Sequence, residues 1–440
     1  MQMNKKRETT NPWKPEDELE HFPCPIEWWS TEVFLKDVKT KKNINFKATF
    51  TQWYDNPQRI GCMYRTVILD VKTGKYYNHI ERDDTKKLES KPNEFYLQFK
   101  NSYITGLYPD YKMKFIDPEH DMETDLNYHA EVLPHWIGKE ITDGYLPMGL
   151  GTYRYGYLPK IKVTGTIKQN GKKSKVKGIG YLEHVWGSFS YDNPFARNSQ
   201  LRKVFTTYVK LAARWINNHK IGIPKSIYFT TENNPFGYDW LWGILDNGWT
   251  IFYGNSLFYI MKGPALGSLI ISKDGKKYEE YLDITFHYNK INYNKKYDFT
   301  YPAEFELTAK NGNERLFLHF KNIKPYLEHI NLYPFAKHRW IGFAICEAPG
   351  TVKGYYYDKN KKTKITGICR LEPQRQISKL GHNMLKLDFK LPPDGFGIKI
   401  DFKSHYLKKR MVTQIQFAPW PKLKFTIKKI TEKDFSKIDY

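Results

Sequence analysis

Nothing constrains this chain more than its turns. Asn170-Gly171, Asp246-Asn-Gly248 and Asn311-Gly312 each separate two runs rich in apolar, aromatic and β-branched residues. Asn-Gly and Asp-Gly tolerate positive φ at the centre of a tight turn, so each run pairs antiparallel with the next. By this rule 161–167 meets 175–181, 240–245 meets 249–253, and 305–309 meets 315–320. Further turns at Thr73-Gly74 and Asp274-Gly275 keep the same rhythm. Many short strands joined by hairpins predict an all-β chain of antiparallel barrels or sandwiches.

One segment departs from this. Between Ala196 and Asn217, Leu201, Val204, Phe205, Tyr208, Leu211, Ala212 and Trp215 fall at helical spacing, predicting an amphipathic helix over about 196–217. The length of 440 residues allows two or three domains. Residues 1–20 are charged and Pro-interrupted and are expected to form a flexible tail. A Tyr/Asn/Lys-rich stretch over 283–301 places a boundary near 290. The expected division is an N-terminal domain over 21–285, with a helical insertion at 190–235, and a C-terminal domain over 290–440.

Lys and Arg number 70 against 47 Asp and Glu, a formal net charge of +23. The lysines are spread along the chain, many at turns, and no recognition helix, zinc finger or RNA-binding signature accompanies them, so nucleic acid is excluded as a partner. Four widely spaced cysteines make neither a zinc knuckle nor a disulfide framework, and the first eighteen residues carry no apolar signal core. The expected location is cytoplasmic. No phosphate loop, zinc-binding helix or nucleophile triad stands out, so neither cofactor nor metal is expected.

The stretch Gly178-Ile-Gly-Tyr-Leu-Glu-His-Val-Trp-Gly187 carries the chemistry. In a strand Tyr181, Glu183 and Val185 share one face, and Leu182, His184 and Trp186 the other. Gly178 and Gly180 leave a gap that a ligand or another backbone can enter. Tyr153, Tyr155 and Tyr157 alternate just upstream and form either a cavity wall or a packed sheet face.

This stretch, with Glu27-Trp28-Trp29 before it and Gly237-Tyr-Asp-Trp240 with Asp246-Asn-Gly248 after it, resembles three sequence blocks of one family in order. The family is that of the carotenoid 1,2-hydratase (hydroxyneurosporene synthase, CrtC) and AttH-like tandem lipocalin-like proteins. A weaker fourth block runs from Trp340-Ile-Gly-Phe-Ala through Gly354 to Ile365-Thr-Gly367. Two departures stand out: Glu183 replaces the family's usual Asp, and a helix lengthens the link between the second and third blocks. The resemblance implies two calycin (lipocalin-like) domains in tandem with an apolar pocket near their junction. It also implies a hydratase of polyenes or a cyclase of isoprenoid or polyketide chains; the alternative is a non-catalytic carrier of a lipid or other hydrophobic small molecule.

For catalysis the motif's carboxylic acid protonates a C=C bond, which needs an acid kept neutral by apolar surroundings. Glu183 is the candidate acid, and Tyr181 or His184 would orient it or carry water. Trp186 and Trp240 offer aromatic faces to a cation. Trp28, Trp29, Tyr153, Tyr155 and Asp239 complete the expected ligand-binding set. The alternative for Glu183 and His184 is structural pairing with strand backbone; for Asp239, a backbone acceptor; for Trp28 and Trp29, core anchors. Arg202, Lys203, Lys210 and Arg214 flank the helix's apolar stripe, with Lys220 and Lys225 downstream. That stripe packs on the first domain or meets an anionic membrane surface.

Overall fold

The computed structural model describes residues 12–56, 59–92, 94–189, 201–219, 226–230, 237–256, 267–281, 283–294, 299–322, 329–333, 341–359, 361–378, 383–390, 397–406, 409–417 and 422–429. Residues 1–11 of the expected tail, 196–200 of the helical segment, Lys220, Lys225 and Trp340 lie outside these.

Two large antiparallel sheets dominate the chain and follow the same plan. In the first, Ile26–Asp37 is flanked by Asn43–Asn56 and by Lys172–Gly187. The hairpin through Arg59–Asp70 and Tyr76–Asp83 extends one side. Gly151–Gln169, Met122–Ala130, Asp110–Asp117 and three shorter strands extend the other. In the second, Tyr238–Leu245 is flanked by Thr250–Ser256 and by Lys361–Ser378, with Ile341–Asp358 and three further strands beyond. Each sheet thus joins its first strand to its last long one. A separate five-stranded sheet pairs Ser226–Thr230 with Asn383–Lys390 and the three strands that follow. This is the all-β architecture that the hairpin turns predicted, in the tandem calycin-type arrangement that the resemblance implied. The turns behave as expected: Asn170 and Gly171 have φ of 48° and 73°, and Gly248 has φ of 87°.

The boundary does not lie near 290. Strands from 238 to 281 pair within the same sheet as those from 283 to 378, so the division between the large sheets falls between Gly187 and Tyr238. Strand Asp283–Asn294, in the stretch of weak periodicity, pairs along its length with Phe299–Asn311. Several of its side chains face solvent, which removes the apolar alternation that marks a strand in sequence. Residues 12–20 of the expected tail are likewise tied down. Trp13 is buried against Trp136, and buried Glu18 accepts hydrogen bonds from Tyr108 N–H and the Tyr111 hydroxyl.

Strand alternation sends side chains to two cores at once. Trp29, Val33, Leu182 and Val163 enter the interior of the first sheet. Leu241, Ile251, Leu269 and Leu371 fill the interior of the second. A third core lies between the sheets, where Tyr155, Tyr157, Tyr181 and Val185 meet Trp240, Trp242, Phe252 and Ile270. A bulge between Leu158 and Ile161 sets the phase of Gly151–Gln169. Before it the odd-numbered tyrosines face the second sheet; after it odd-numbered Ile161 and Val163 face the first interior. The bulge also frees the Pro159 carbonyl to accept the Trp242 indole N–H at 2.8 Å.

Beside the third core lies a buried ion network drawn from both sheets. Lys47 meets Glu32 at 3.1 Å, Glu347 at 2.7 Å, and Glu372. Arg65 holds Glu347 with two bonds of 3.0 and 2.8 Å, and Arg370 meets Glu32 at 3.1 Å. Three cations thus face three acids, which lets them leave water together. The Glu347 carboxyl is held well below the usual range: burial opposes this, but Arg65, Lys47 and Arg370 outweigh it. Removing one member strands its partners, a loss of about 3–5 kcal/mol. Lys47→Met should therefore lower the unfolding free energy by about that amount in urea titration. The double variant Lys47→Met, Glu372→Gln should recover part of it; equal losses would show that these charges do not act as one unit.

Candidate functional site

Strand Lys172–Gly187 carries Glu183 on the face turned to the second sheet, opposite Ser30 on one neighbour and Tyr157 on the other. Three neighbours address its carboxyl group. The Trp28 indole donates to Oε1 at 2.9 Å, the Tyr181 hydroxyl lies 2.8 Å from Oε2, and the Tyr155 hydroxyl also bonds Oε2. Tyr155 and Tyr181 are themselves 2.8 Å apart, and Trp240 reaches across from the second sheet to donate to Tyr155 at 2.8 Å. The site therefore belongs to both sheets.

The three oxygens of Tyr155, Tyr181 and Glu183 form a triangle of mutual hydrogen-bond contacts. Each contact needs one proton, and two phenols supply two. With a neutral Glu183 the count closes: the acid donates to Tyr155, Tyr155 to Tyr181, and Tyr181 back to the acid. An ionised Glu183 leaves one pair of oxygens facing each other without a proton. The electrostatics agree. Burial raises the pKa of Glu183 above the usual 4.5, against lowering by Tyr155, Trp28, Tyr181 and Lys47. Burial and the Glu183 carboxyl push both phenols well above 10, so they keep their protons.

Glu183 nevertheless stays part-exposed, as do Trp28, Thr49, Met63, Tyr153 and Tyr238, while Val185, Tyr157 and Tyr181 beside them are buried. These part-exposed side chains lie on the faces that the two sheets turn to each other, at the end of the third core. Phe189 packs against Trp28 and Tyr153 with ring centroids 6.0 and 5.4 Å away. Glu372 accepts from the Tyr238 hydroxyl at 3.1 Å. Burial pushes Glu372 up to about 7, Lys47 opposing and Glu347 and Glu32 adding.

The structure thus brings Glu183, Tyr181, Tyr155, Trp28 and Trp240 into one constellation, with Tyr153 beside it. Four expected members lie elsewhere. His184 follows Glu183 directly and so points into the first sheet's interior, where it can neither orient Glu183 nor carry water to it. Its Nδ1 donates to the Asp17 carbonyl at 2.8 Å and its Nε2 lies 2.9 Å from Glu27. Trp29 stacks on His184 at 4.5 Å, and Trp186 stacks on His21 at 3.8 Å, both on that interior side. Asp239 faces away from Trp240 and is buried against Arg375 at 2.8 Å and the Tyr288 hydroxyl. The gap expected at Gly178 is filled by sheet backbone, since a Cβ there would sit 2.1 Å from the Phe34 carbonyl oxygen.

Tyr157, from the tyrosine ladder noted in the sequence, supports the constellation as part of a packed face, and sequence reasoning missed Trp242 and Phe252 beside it. The hairpin at Asp246-Asn-Gly248 held that signal, because its register sets Phe252 opposite Trp242. It also missed Glu27, whose carboxyl is held at about 2: burial opposes this, but hydrogen bonds from His184 and His21 outweigh it. Among the described residues His21, Glu27 and His184, and separately His79, Asp117 and Glu119, bring donor atoms within 4.8 Å of one another, as a metal would require. In both clusters those atoms are close enough to pair directly.

The architecture is shared with solved structures. An AttH-assigned protein from Nitrosomonas europaea aligns over 83% of this chain and 99% of its own, with 14% identity and a TM-score of 0.53. Kievitone hydratase from Nectria haematococca aligns over 84% of this chain and 96% of its own, with 13% identity and a TM-score of 0.53. At these identities the likeness is one of fold. No family profile and no curated protein matches the sequence.

The raised pKa of Glu183 has a sign that can be measured. The neutral acid contributes stability that is present below its unfolded value of 4.5 and lost as pH rises through the higher folded value. Glu183→Gln cannot ionise and escapes that loss. Its melting temperature relative to the native protein should climb as pH is raised from below 4.5. An offset that stays constant with pH would show that Glu183 titrates normally.

Proposed function

We propose that this protein is an enzyme that protonates a C=C bond of an apolar, unsaturated substrate held in the cleft between its sheets. The proton triangle of Tyr155, Tyr181 and Glu183 carries this reading. It favours a neutral carboxylic acid, and the anion left by proton transfer keeps the Tyr181 hydroxyl and the Trp28 indole as donors and gains Tyr155 once that hydroxyl turns from Tyr181. Proton transfer from Glu183 forms a C–H bond and leaves a cation on the more substituted carbon. The aromatic faces of Trp28, Tyr153 and Trp240 stabilise that cation. Water then forms a C–O bond, and its surplus proton returns to the Glu183 carboxylate, directly or through Tyr155. If a second double bond of the substrate attacks instead, a ring closes and a later C–H proton restores the acid. The balance holds without any cofactor. That one protein of the same fold is a hydratase favours this chemistry. A polyene or isoprenoid fits the aromatic lining, and the same site without proton transfer would serve as a carrier for such a molecule.

The test is incorporation of solvent deuterium into carbon. Apolar molecules that co-purify with the protein, and a panel of polyenes and prenylated compounds, are incubated in deuterated water and followed by mass spectrometry. The native protein should yield product with carbon-bound deuterium, with one water added or a ring formed. Glu183→Gln should lower turnover by about 10²-fold or more, while ligand quenching of tryptophan fluorescence changes little. Normal turnover by Glu183→Gln would overturn the acid role. Binding without deuterium uptake in either form would make the protein a carrier.

A further inference from the structure

The helix Leu201–His219 packs on the body by one side only. Val204 and Thr207 are buried, and the Tyr208 hydroxyl donates to the Gly149 carbonyl at 3.1 Å. The helix lies against Lys139–Thr142, Tyr145–Met148 and Gly151–Gln169, the strand of the site tyrosines. The packing expected from its apolar stripe is therefore present. It does not use the whole stripe.

Leu201, Phe205 and Val209, spaced four residues apart, form a ridge on the side turned to water. They are 44%, 71% and 48% exposed. Such a ridge costs solubility unless something covers it. The helix also touches strand Asp283–Asn294, where Ile291 and Tyr293 are 41% and 54% exposed and Lys290 is open to solvent. Its charge is one-sided. The helix holds Arg202, Lys203, Lys210 and Arg214 and no Asp or Glu; Arg214 lies close enough to Glu280 to act on its carboxyl, which leaves the other three. Arg202 is one residue from Leu201 and Lys210 one residue from Val209, both exposed. Lys203 lies over the Tyr145 ring at 3.3 Å, which leaves its charge at the surface.

An exposed apolar ridge with a cationic border and no acid is the pattern of a helix that lies in a lipid interface. A protein partner's apolar groove would match the ridge, but only an anionic surface matches the ridge and the charges together. No helix among the described residues is long and apolar enough to span a bilayer, so contact through this helix would be peripheral. We infer that the outer face of helix Leu201–His219 docks on an anionic lipid surface. This inference is independent of the chemistry proposed for Glu183. It places the inter-sheet cleft, whose strand Gly151–Gln169 the helix covers, next to the phase in which apolar molecules dissolve.

Vesicle sedimentation of the full-length protein tests it, with phosphatidylcholine vesicles carrying or lacking phosphatidylserine. The native protein should sediment with the anionic vesicles, less at high salt, and not with the neutral ones. Phe205→Ser with Leu201→Ser, and separately Arg202→Glu with Lys210→Glu, should each weaken binding about ten-fold or more. Both pairs are exposed, so the melting temperature should stay at the native value. Absence of sedimentation with anionic vesicles, equal binding to neutral ones, or binding that either pair of changes leaves intact overturns the inference. Self-association that Phe205→Ser abolishes, without vesicle binding, would instead make the ridge an interface between two copies of the chain.

Discussion

A strand buried on both faces must satisfy two environments with one sequence, and that requirement organises this protein. In Lys172–Gly187 the even-numbered Leu182 and His184 belong to the interior of the first sheet, and the odd-numbered Tyr181, Glu183 and Val185 to the space between sheets. No slip of register is tolerated, because moving the strand by one residue would exchange a carboxylic acid for an imidazole in the cleft. The neighbours hold the register. Gly178 lets the Phe34 backbone come close, and the bulge after Leu158 brings the tyrosine ladder into phase with the acid.

The two polar assemblies of the molecule rest on opposite electrostatic strategies. Beside the cleft, Lys47, Arg65 and Arg370 balance Glu32, Glu347 and Glu372 as charges. Around Glu183 the donors are neutral phenols and indoles, and burial disfavours the charged form. The difference follows from what each has to do. Paired charges fix two sheets against each other because every rearrangement separates ions in a poor solvent. A neutral acid in a ring of hydroxyls can give up its proton with small heavy-atom movement. Lys47 touches the first assembly directly and acts on Glu183 only from a distance, favouring the anion that proton transfer produces.

Much of the fold was legible because its signals are local. Asn170-Gly171 and Asp246-Asn-Gly248 announce hairpins, and alternation within 178–187 by itself separates Glu183 from His184. Used consistently, that same alternation would have kept His184 and Trp186 out of the cleft, and Asp239 away from Trp240. The sheet boundary was not legible. It depends on Tyr238–Leu245 pairing with Lys361–Ser378 more than a hundred residues away, and nothing in either strand names its partner. The ion network was hidden for a related reason. Lys47, Arg65, Glu347 and Glu372 each look like a solvent-facing charge on a strand, and only the stacking of one sheet on the other makes them partners.

The pairing of first strand with last has a consequence in time. Trp28 sits on Ile26–Asp37 and stands opposite Val185, so its bond to Glu183 closes a loop of 155 residues. Such distant pairing folds slowly, because the chain must surrender the entropy of a long loop before the contact repays it. On the ribosome, Ile26–Asp37 emerges early and waits with one edge unpaired until Lys172–Gly187 has been made. The acid and its indole donor are therefore assembled late, after the hairpins on either side have formed. A chain that stalls before Gly187 has strands but no site, and its open edge invites a neighbouring nascent chain to pair in place of its own missing strand.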